Sequence, residues 1–213
     1  LLFMLLRIPD PLRDDQQHDR RLRRAITAMI TRFRDSAGLG FSDEQGLVDR
    51  LYIHLAQALD RSLFGIGIDN SLTEEVERLY PRLLRTTREA FYDFECTWGL
   101  RFSDEEIGLV AVIFGAWLMQ EKDLQEKQVV LLTANDPTRE QALEQQLREL
   151  TLLPLNIKYL SLTDFQRHGA PREVALIVTP YSTPLPLFSP PLIHAQPSLS
   201  THQCNHIRTM LES

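Results

Sequence analysis

The feature that most constrains the fold is a change in hydrophobic patterning near residue 124. Up to about Leu118, apolar residues recur at the spacing of amphipathic helices. After a charged stretch at residues 121–127 comes Val129-Val130-Leu131-Leu132, a continuous apolar run typical of a fully buried parallel strand. The sequence therefore predicts the fold class α plus α/β, with a helical part followed by a smaller layered part.

Local start signals divide the first part into five predicted helices. The first helix covers about residues 15–36, and Ser42 is the predicted N-cap of the second, with Gln45 as its capping-box partner. A short acidic helix follows, and Pro81 suits the first turn of the fourth helix. The fifth helix begins after Ser103 and is apolar on most sides, which predicts a central position in a five-helix bundle.

The second part alternates between strand and helix signals. Asp136-Pro137 is an N-cap and N1 pair for a helix that follows the first strand. Residues 157–162, 174–179 and 192–193 are predicted strands, and residues 200–211 the last helix. This order indicates a small, four-stranded, mainly parallel α/β domain.

We therefore predict domains at residues 15–122 and 126–213. Residues 1–6 are strongly apolar but end at Arg7, which is far short of the roughly 20 residues that a membrane span needs. Residues 1–14 are interpreted as the tail of an upstream domain and a linker.

Composition excludes several classes of function. A net charge of −6 provides no basic field for a phosphate backbone, so contact with DNA or RNA is expected only through a segment outside this chain. Cys96 and Cys204 are too few for a disulfide scaffold, which favours a reducing cytoplasm. His202 and His206 have a spacing that can hold zinc, but with no third ligand in sight a surface helix is favoured. We predict no metal and no cofactor.

Three segments in the right order resemble the PTS regulation domain, a regulatory module of the bacterial sugar phosphotransferase system (PTS). Tyr52-Ile53-His54-Leu55-Ala56-Gln57-Ala58-Leu59-Asp60-Arg61 resembles the family's second-helix signature, in which an arginine follows a histidine after seven residues. Ile68-Asp69-Asn70-Ser71-Leu72 resembles its Asn-Pro-Leu loop, with Ser71 in place of proline. Residues 106–116 resemble its fifth-helix pattern, and the resemblance covers about residues 16–122.

This resemblance implies that His54 is a candidate regulatory phosphorylation site. Seven residues are nearly two helical turns, so Arg61 lies on the same face about 10 Å away and is a candidate partner for a phosphoryl group. The family's second phosphorylatable histidine corresponds to Ile113, which cannot accept a phosphoryl group. The alternative for His54 is that its ring packs beside an apolar stripe as an ordinary structural histidine.

The second domain is similar to the IIB component of phosphotransferase systems, which carries a reactive cysteine after its first strand. The corresponding stretch here is Leu132-Thr133-Ala134-Asn135-Asp136-Pro137, with neither cysteine nor glycine, and Thr133 lies near the lost cysteine position. The resemblance therefore implies a degenerate domain that cannot carry a phosphoryl group on cysteine.

These features predict a non-catalytic regulatory module of a phosphotransferase-linked transcriptional regulator. It would be cytoplasmic and homodimeric, with the histidine phosphocarrier protein of the PTS as its candidate partner. The sequence contains no GxSxG motif, no P-loop and no glycine-rich strand-to-helix turn, which are motifs that would indicate an enzyme. Two alternatives stay open: a scaffold without phosphate input, and a small-ligand domain that uses the strand ends near Thr133 and Thr179.

Overall fold

A computed structural model describes residues 16–69, 72–122, 126–152, 155–184, 186 and 189–212. These residues form two compact units, a helical unit of residues 16–77 and 83–122 and an α/β unit of residues 126–212, with which residues 78–82 are grouped. The predicted fold class is confirmed. The predicted bounds 15–122 and 126–213 stay predictions, and the proposed tail at residues 1–14 lies outside the described residues.

The helical unit consists of five helices. They are α1 (Gln16–Ala37), α2 (Glu44–Leu63), α3 (Leu72–Leu79), α4 (Pro81–Trp98) and α5 (Asp104–Lys122). Gly38, Gly65 and Gly99 follow helix ends with φ between 62° and 70°, a backbone conformation that glycine adopts without steric cost.

The N-terminus of α2 differs from the prediction by one residue. Asp43, not Ser42, is the N-cap, and its carboxylate accepts a hydrogen bond from the backbone N–H of Gly46 at 2.9 Å. This shift places Gln45 at the second helical position instead of the third, and its side chain donates to Asp49.

Helix α5 is deeply embedded in the helical unit, as its apolar circumference predicts. Phe114 is fully buried and stacks on Phe33 of α1 with ring centroids 4.0 Å apart. Two glycines let neighbouring helices approach closely: a β-carbon on Gly108 would lie 2.8 Å from Thr73 of α3, and one on Gly115 2.9 Å from Leu83 of α4. Larger residues at these glycines would therefore force α5 away from its neighbours.

The α/β unit contains a four-stranded sheet with the order β2-β1-β3-β4, and all three strand pairs are parallel. Its elements are β1 (Lys127–Thr133), α6 (Pro137–Arg148), β2 (Leu155–Ser161), α7 (Leu162–His168), β3 (Leu176–Thr179), β4 (Leu192–His194) and α8 (Thr201–Glu212). As predicted, Asp136 caps α6 by accepting from the N–H of Arg139, and Pro137 begins the helix.

Helix α7 is absent from the sequence-based prediction. The second strand was expected to reach Leu162, but it ends at Ser161, whose hydroxyl accepts from the N–H of Asp164 and caps α7. Phe165 anchors this short helix against Val130 and Leu132, on the face of the sheet opposite α6 and α8. The N-cap and the buried ring of Phe165 thus stabilise α7, which is too short to show the hydrophobic periodicity of a longer helix.

The strand order determines where a ligand would bind in such a sheet. The chain leaves β1 through α6 to one side and reaches β3 on the other side through α7, so a crevice opens between the carboxyl ends of β1 and β3. Among the described helices, none combines the length and the apolar character needed to cross a bilayer.

Candidate functional site

The sequence-predicted regulatory residues lie on two packed helices. His54 and Arg61 belong to α2, and Ile113 belongs to α5. The helices run antiparallel: Arg61 contacts Glu106 near one end, while a β-carbon on Gly46 would lie 3.0 Å from Trp117 near the other. Seven residues separate His54 from Arg61 and Ile113 from Glu106, so His54 and Ile113 lie at the same level along the helix pair.

His54 is half-buried, and its environment disfavours the imidazolium form. Burial lowers the pKa of the imidazole below its ordinary value of 6.5, and the charges of Arg50 and Arg61 lower it further against a smaller opposing effect of Glu106. The ring is therefore neutral at neutral pH. A neutral imidazole nitrogen has the free lone pair that a nucleophile needs.

Arg61 and Glu106 form a bidentate ion pair that joins α2 to α5. Nε of Arg61 donates to one carboxylate oxygen of Glu106 at 2.7 Å, and Nη2 donates to the other at 2.9 Å. The side chains are 20% and 10% exposed, respectively, so solvent screens this pair less than a surface pair. The guanidinium is thus held by a carboxylate, and its role toward a phosphoryl group on His54 stays a prediction.

Glu106 is the residue of this candidate site to which sequence reasoning assigned no role. Its position in the first turn of α5 explained it as a residue favoured by the helix dipole. The available signal was its place in the fifth-helix pattern, seven residues before Ile113, which matches the seven-residue spacing of His54 and Arg61. Such matching intervals on two helices indicate two facing pairs.

Ile113 is 9% exposed and belongs to the apolar core of the helical unit. Since it has no titratable atom, this level of the helix pair offers the imidazole of His54 but no second histidine at position 113. Exposed apolar side chains also occur on α2 and on the loop after it: Ile53, Leu63, Phe64 and Ile66 are each 48% to 70% exposed.

At the switch point of the α/β unit, side chains close the crevice. Thr133 is half-buried at the end of β1, and Thr179 is fully buried at the end of β3, where its hydroxyl accepts from the N–H of Tyr181 at 3.0 Å. Oε1 of Glu140 accepts from the N–H of Ala134 and from the phenol of Tyr181, each at 2.7 Å. Burial and the neighbouring Glu140 raise the pKa of the Tyr181 phenol, which therefore remains a donor at neutral pH.

The remaining candidates for reactive chemistry are isolated. His202 and His206 are exposed on α8 with ring centroids 6.3 Å apart, and Cys96 and Cys204 are free thiols. Across the part of the chain that the structure describes, no three His, Cys, Asp or Glu side chains gather as metal ligands would.

Comparisons with known proteins match both units. Residues 27–117 match the PRD domain family, and residues 127–211 match the family described as "Stationary phase-inducible protein CsiE, C-terminal domain". The chain is 64% identical over all 213 residues to the Stationary phase-inducible protein CsiE of Escherichia coli (strain K12) and covers 50% of that protein. It is also 24% identical over 95 residues to the Transcriptional regulator ManR of Bacillus subtilis (strain 168), covering 45% of this chain and 15% of that protein.

These matches confirm the resemblance to the PTS regulation domain and support a regulatory role for the chain. The likeness of the α/β unit to a IIB component stays a prediction. The chain spans half the length of CsiE. In chain order, residues 27–117 are thus similar to a PRD domain, and residues 127–211 are similar to a CsiE C-terminal domain.

Proposed function

We propose that the chain is the non-catalytic regulatory module of a phosphotransferase-linked transcriptional regulator, with His54 as its single phosphorylation site. The observation that carries the proposal is a neutral imidazole flanked by the cations of Arg50 and Arg61. Its phosphoryl donor would be the histidine phosphocarrier protein of the PTS, which sets the site of action in the cytoplasm. No contact with DNA or RNA is assigned to this chain, because its net charge is −6.

The proposed reaction is a simple exchange of one N–P bond for another. The lone pair of a neutral His54 nitrogen attacks the phosphorus of the carrier's phosphohistidine, the new N–P bond forms, and the carrier's N–P bond breaks. The electron pair of the broken bond returns to the carrier's imidazole, which takes up a proton, while His54 releases the proton of its other ring nitrogen to solvent. Arg50 and Arg61 favour the arriving phosphoryl group, which brings about two negative charges.

The Arg61–Glu106 ion pair converts this charge into a change of structure. A phosphoryl group on His54 competes with the Glu106 carboxylate for the Arg61 guanidinium, since both are anions that accept bidentate hydrogen bonds. When Arg61 turns toward the phosphoryl group, the link between α2 and α5 is lost. Because Ile113 cannot be phosphorylated, a single event at His54 would determine the state of the switch.

We also propose that the chain is a homodimer. The exposed apolar side chains of Ile53, Leu63, Phe64 and Ile66 belong to α2, the helix that carries His54, and to the loop after it. Burial of such side chains against a second copy would stabilise the dimer, and a phosphoryl group on the same helix would add negative charge to it.

Two alternatives differ in their support. A scaffold that keeps the fold without phosphate input requires only that His54 never receives a phosphoryl group. A ligand-binding role for the α/β unit is less well supported, because Glu140 and Tyr181 lie in the crevice that a ligand would enter.

The first prediction is one phosphoryl group per chain. Incubation with phosphoenolpyruvate, the general phosphotransferase enzyme and its phosphocarrier should add one phosphoryl mass, read by intact mass spectrometry at neutral to alkaline pH. His54→Ala should abolish the addition, whereas His206→Ala, which changes an exposed histidine of α8, should retain it. An unmodified chain beside a fully charged phosphocarrier would contradict the proposal and favour the scaffold.

The second prediction concerns competition for Arg61. Glu106→Gln removes the competing charge, so phosphohistidine at position 54 should persist several-fold longer in a hydrolysis time course. The unphosphorylated variant should lose about 1.5–3 kcal/mol of unfolding free energy in urea, the range for hydrogen bonds to charged groups.

Glu95→Gln is the matched control for this competition. Glu95 is also a nearly buried carboxylate of the helical unit, and it accepts from the N–H of Phe102 and pairs with Arg101. Its variant should lower stability without changing the lifetime of phosphohistidine. Equal lifetimes in both variants would show that Glu106 does not compete for Arg61.

The third prediction is a rise in the pKa of His54 in Arg50→Gln, because one of the two repelling cations is removed. NMR titration of the imidazole in the parent should give a pKa below 6.5. Because the unfolded chain then binds a proton more readily than the folded chain, the contribution of His54 to stability is complete above pH 6.5 and declines as pH falls below that value. Arg88→Gln, whose partner is Asp104, is the control. An unchanged His54 pKa in Arg50→Gln would refute this electrostatic description.

The fourth prediction is self-association through the exposed apolar side chains of α2, the helix that carries His54. Sedimentation analysis should show a dimer, and Ile53→Asp should weaken it at least about tenfold, since one buried large apolar side chain contributes roughly 1.5–3 kcal/mol. Met119→Asp, which changes an exposed apolar residue of α5, should leave the dimer intact. A parent chain that is strictly monomeric at high micromolar concentration would exclude the dimer.

A further inference from the structure

The α/β unit buries a carboxylate where a parallel sheet would bind a ligand. Glu140 is 7% exposed, and Oε1 accepts from two groups on different segments. One is the N–H of Ala134 in the loop after β1, and the other is the phenol of Tyr181 just after β3. The carboxylate therefore joins the two strand ends that border the crevice.

Burial of the Glu140 carboxylate in this arrangement costs hydration free energy. Within the described part of the chain, Glu140 has no arginine, lysine or histidine in an ion pair, and both of its donors are uncharged groups. A buried carboxylate that lacks a cation loses much of its hydration free energy and recovers it only from such hydrogen bonds. An apolar residue at this point of α6 would avoid that cost.

The surrounding groups are suited to an anion. The raised pKa of Tyr181 keeps the phenol protonated, so it donates rather than accepts. The guanidinium of Arg139 lies 5.7 Å from the centre of the Tyr181 ring and adds a positive charge nearby. The carboxylate of Asp136, the N-cap of α6, opposes an anion from this side.

We propose that Ala134 and Tyr181 form a small oxyanion site whose anion is the chain's own Glu140 carboxylate. With the carboxylate removed, the site takes a free tetrahedral oxyanion of the phosphate or sulfate class. The internal anion keeps the loop between β1 and α6 in its anion-bound arrangement at all times. The loop after β1 therefore keeps the same arrangement whatever the concentration of free phosphate.

Chemical rescue tests this proposal in the full chain. Glu140→Ala should lower the melting temperature, and inorganic phosphate or sulfate should then raise it by about 2–5 °C more than in the parent, at ionic strength held constant with chloride. Both anions stabilise most proteins weakly, so the comparison between variants carries the result. Tyr181→Phe in the Glu140→Ala background should reduce the extra stabilisation, because one donor is lost.

Two controls separate rescue from general stabilisation. Leu143→Ala creates a cavity in the same helix without removing an anion, and Glu140→Gln keeps an acceptor oxygen in place, so neither should gain more from phosphate than the parent. If Glu140→Ala is unfolded without added anion, recovery of its circular dichroism with phosphate or sulfate is the supporting result. Equal rises in melting temperature in Glu140→Ala, Leu143→Ala and the parent would overturn the proposal. So would an unfolded Glu140→Ala that does not recover its circular dichroism with either anion while Glu140→Gln is folded.

Discussion

The ion pair between Arg61 and Glu106 is the interaction on which the proposed regulatory role of the helical unit depends. It fixes the register of two antiparallel helices, and with that register His54 and Ile113 come to the same level. The guanidinium contributes to the neutral state of His54 while Glu106 opposes it, and the balance favours the neutral ring. One arginine thus acts on helix packing and on the chemistry of the histidine at the same time.

Much of the fold follows from local signals that the structure retains. Asp136-Pro137 begins α6 because a carboxylate cap and a proline at N1 both fit a helix start, and the continuous apolar run of β1 is buried from Val129 to Leu132. Helix α7 could not be found this way, since a seven-residue helix with one anchoring phenylalanine leaves almost no periodic pattern.

The candidate sites were less accessible to sequence reasoning than the fold. His54 and Arg61 share one helix, so their spacing alone places them on one face. The partner of Arg61 comes from α5, 45 residues away, and the two donors to Glu140 come from separate loops of the α/β unit. Such contacts arise from tertiary packing, and the helix dipole alone favours an acidic residue in the first turn of a helix, where both Glu106 and Glu140 lie.

The two glutamates represent opposite solutions to the same electrostatic problem. Glu106 neutralises a cation that a competing anion can also use, so its hydrogen bonds can be exchanged when a stronger anion arrives beside it. Glu140 is held by a backbone amide and a phenol, neither of which can follow a new anion to another position. A contact that responds to a new anion must be of the first kind, and one that stays constant must be of the second, so under the proposed function Arg61 could exchange partners while Glu140 would keep the loop after β1 in place.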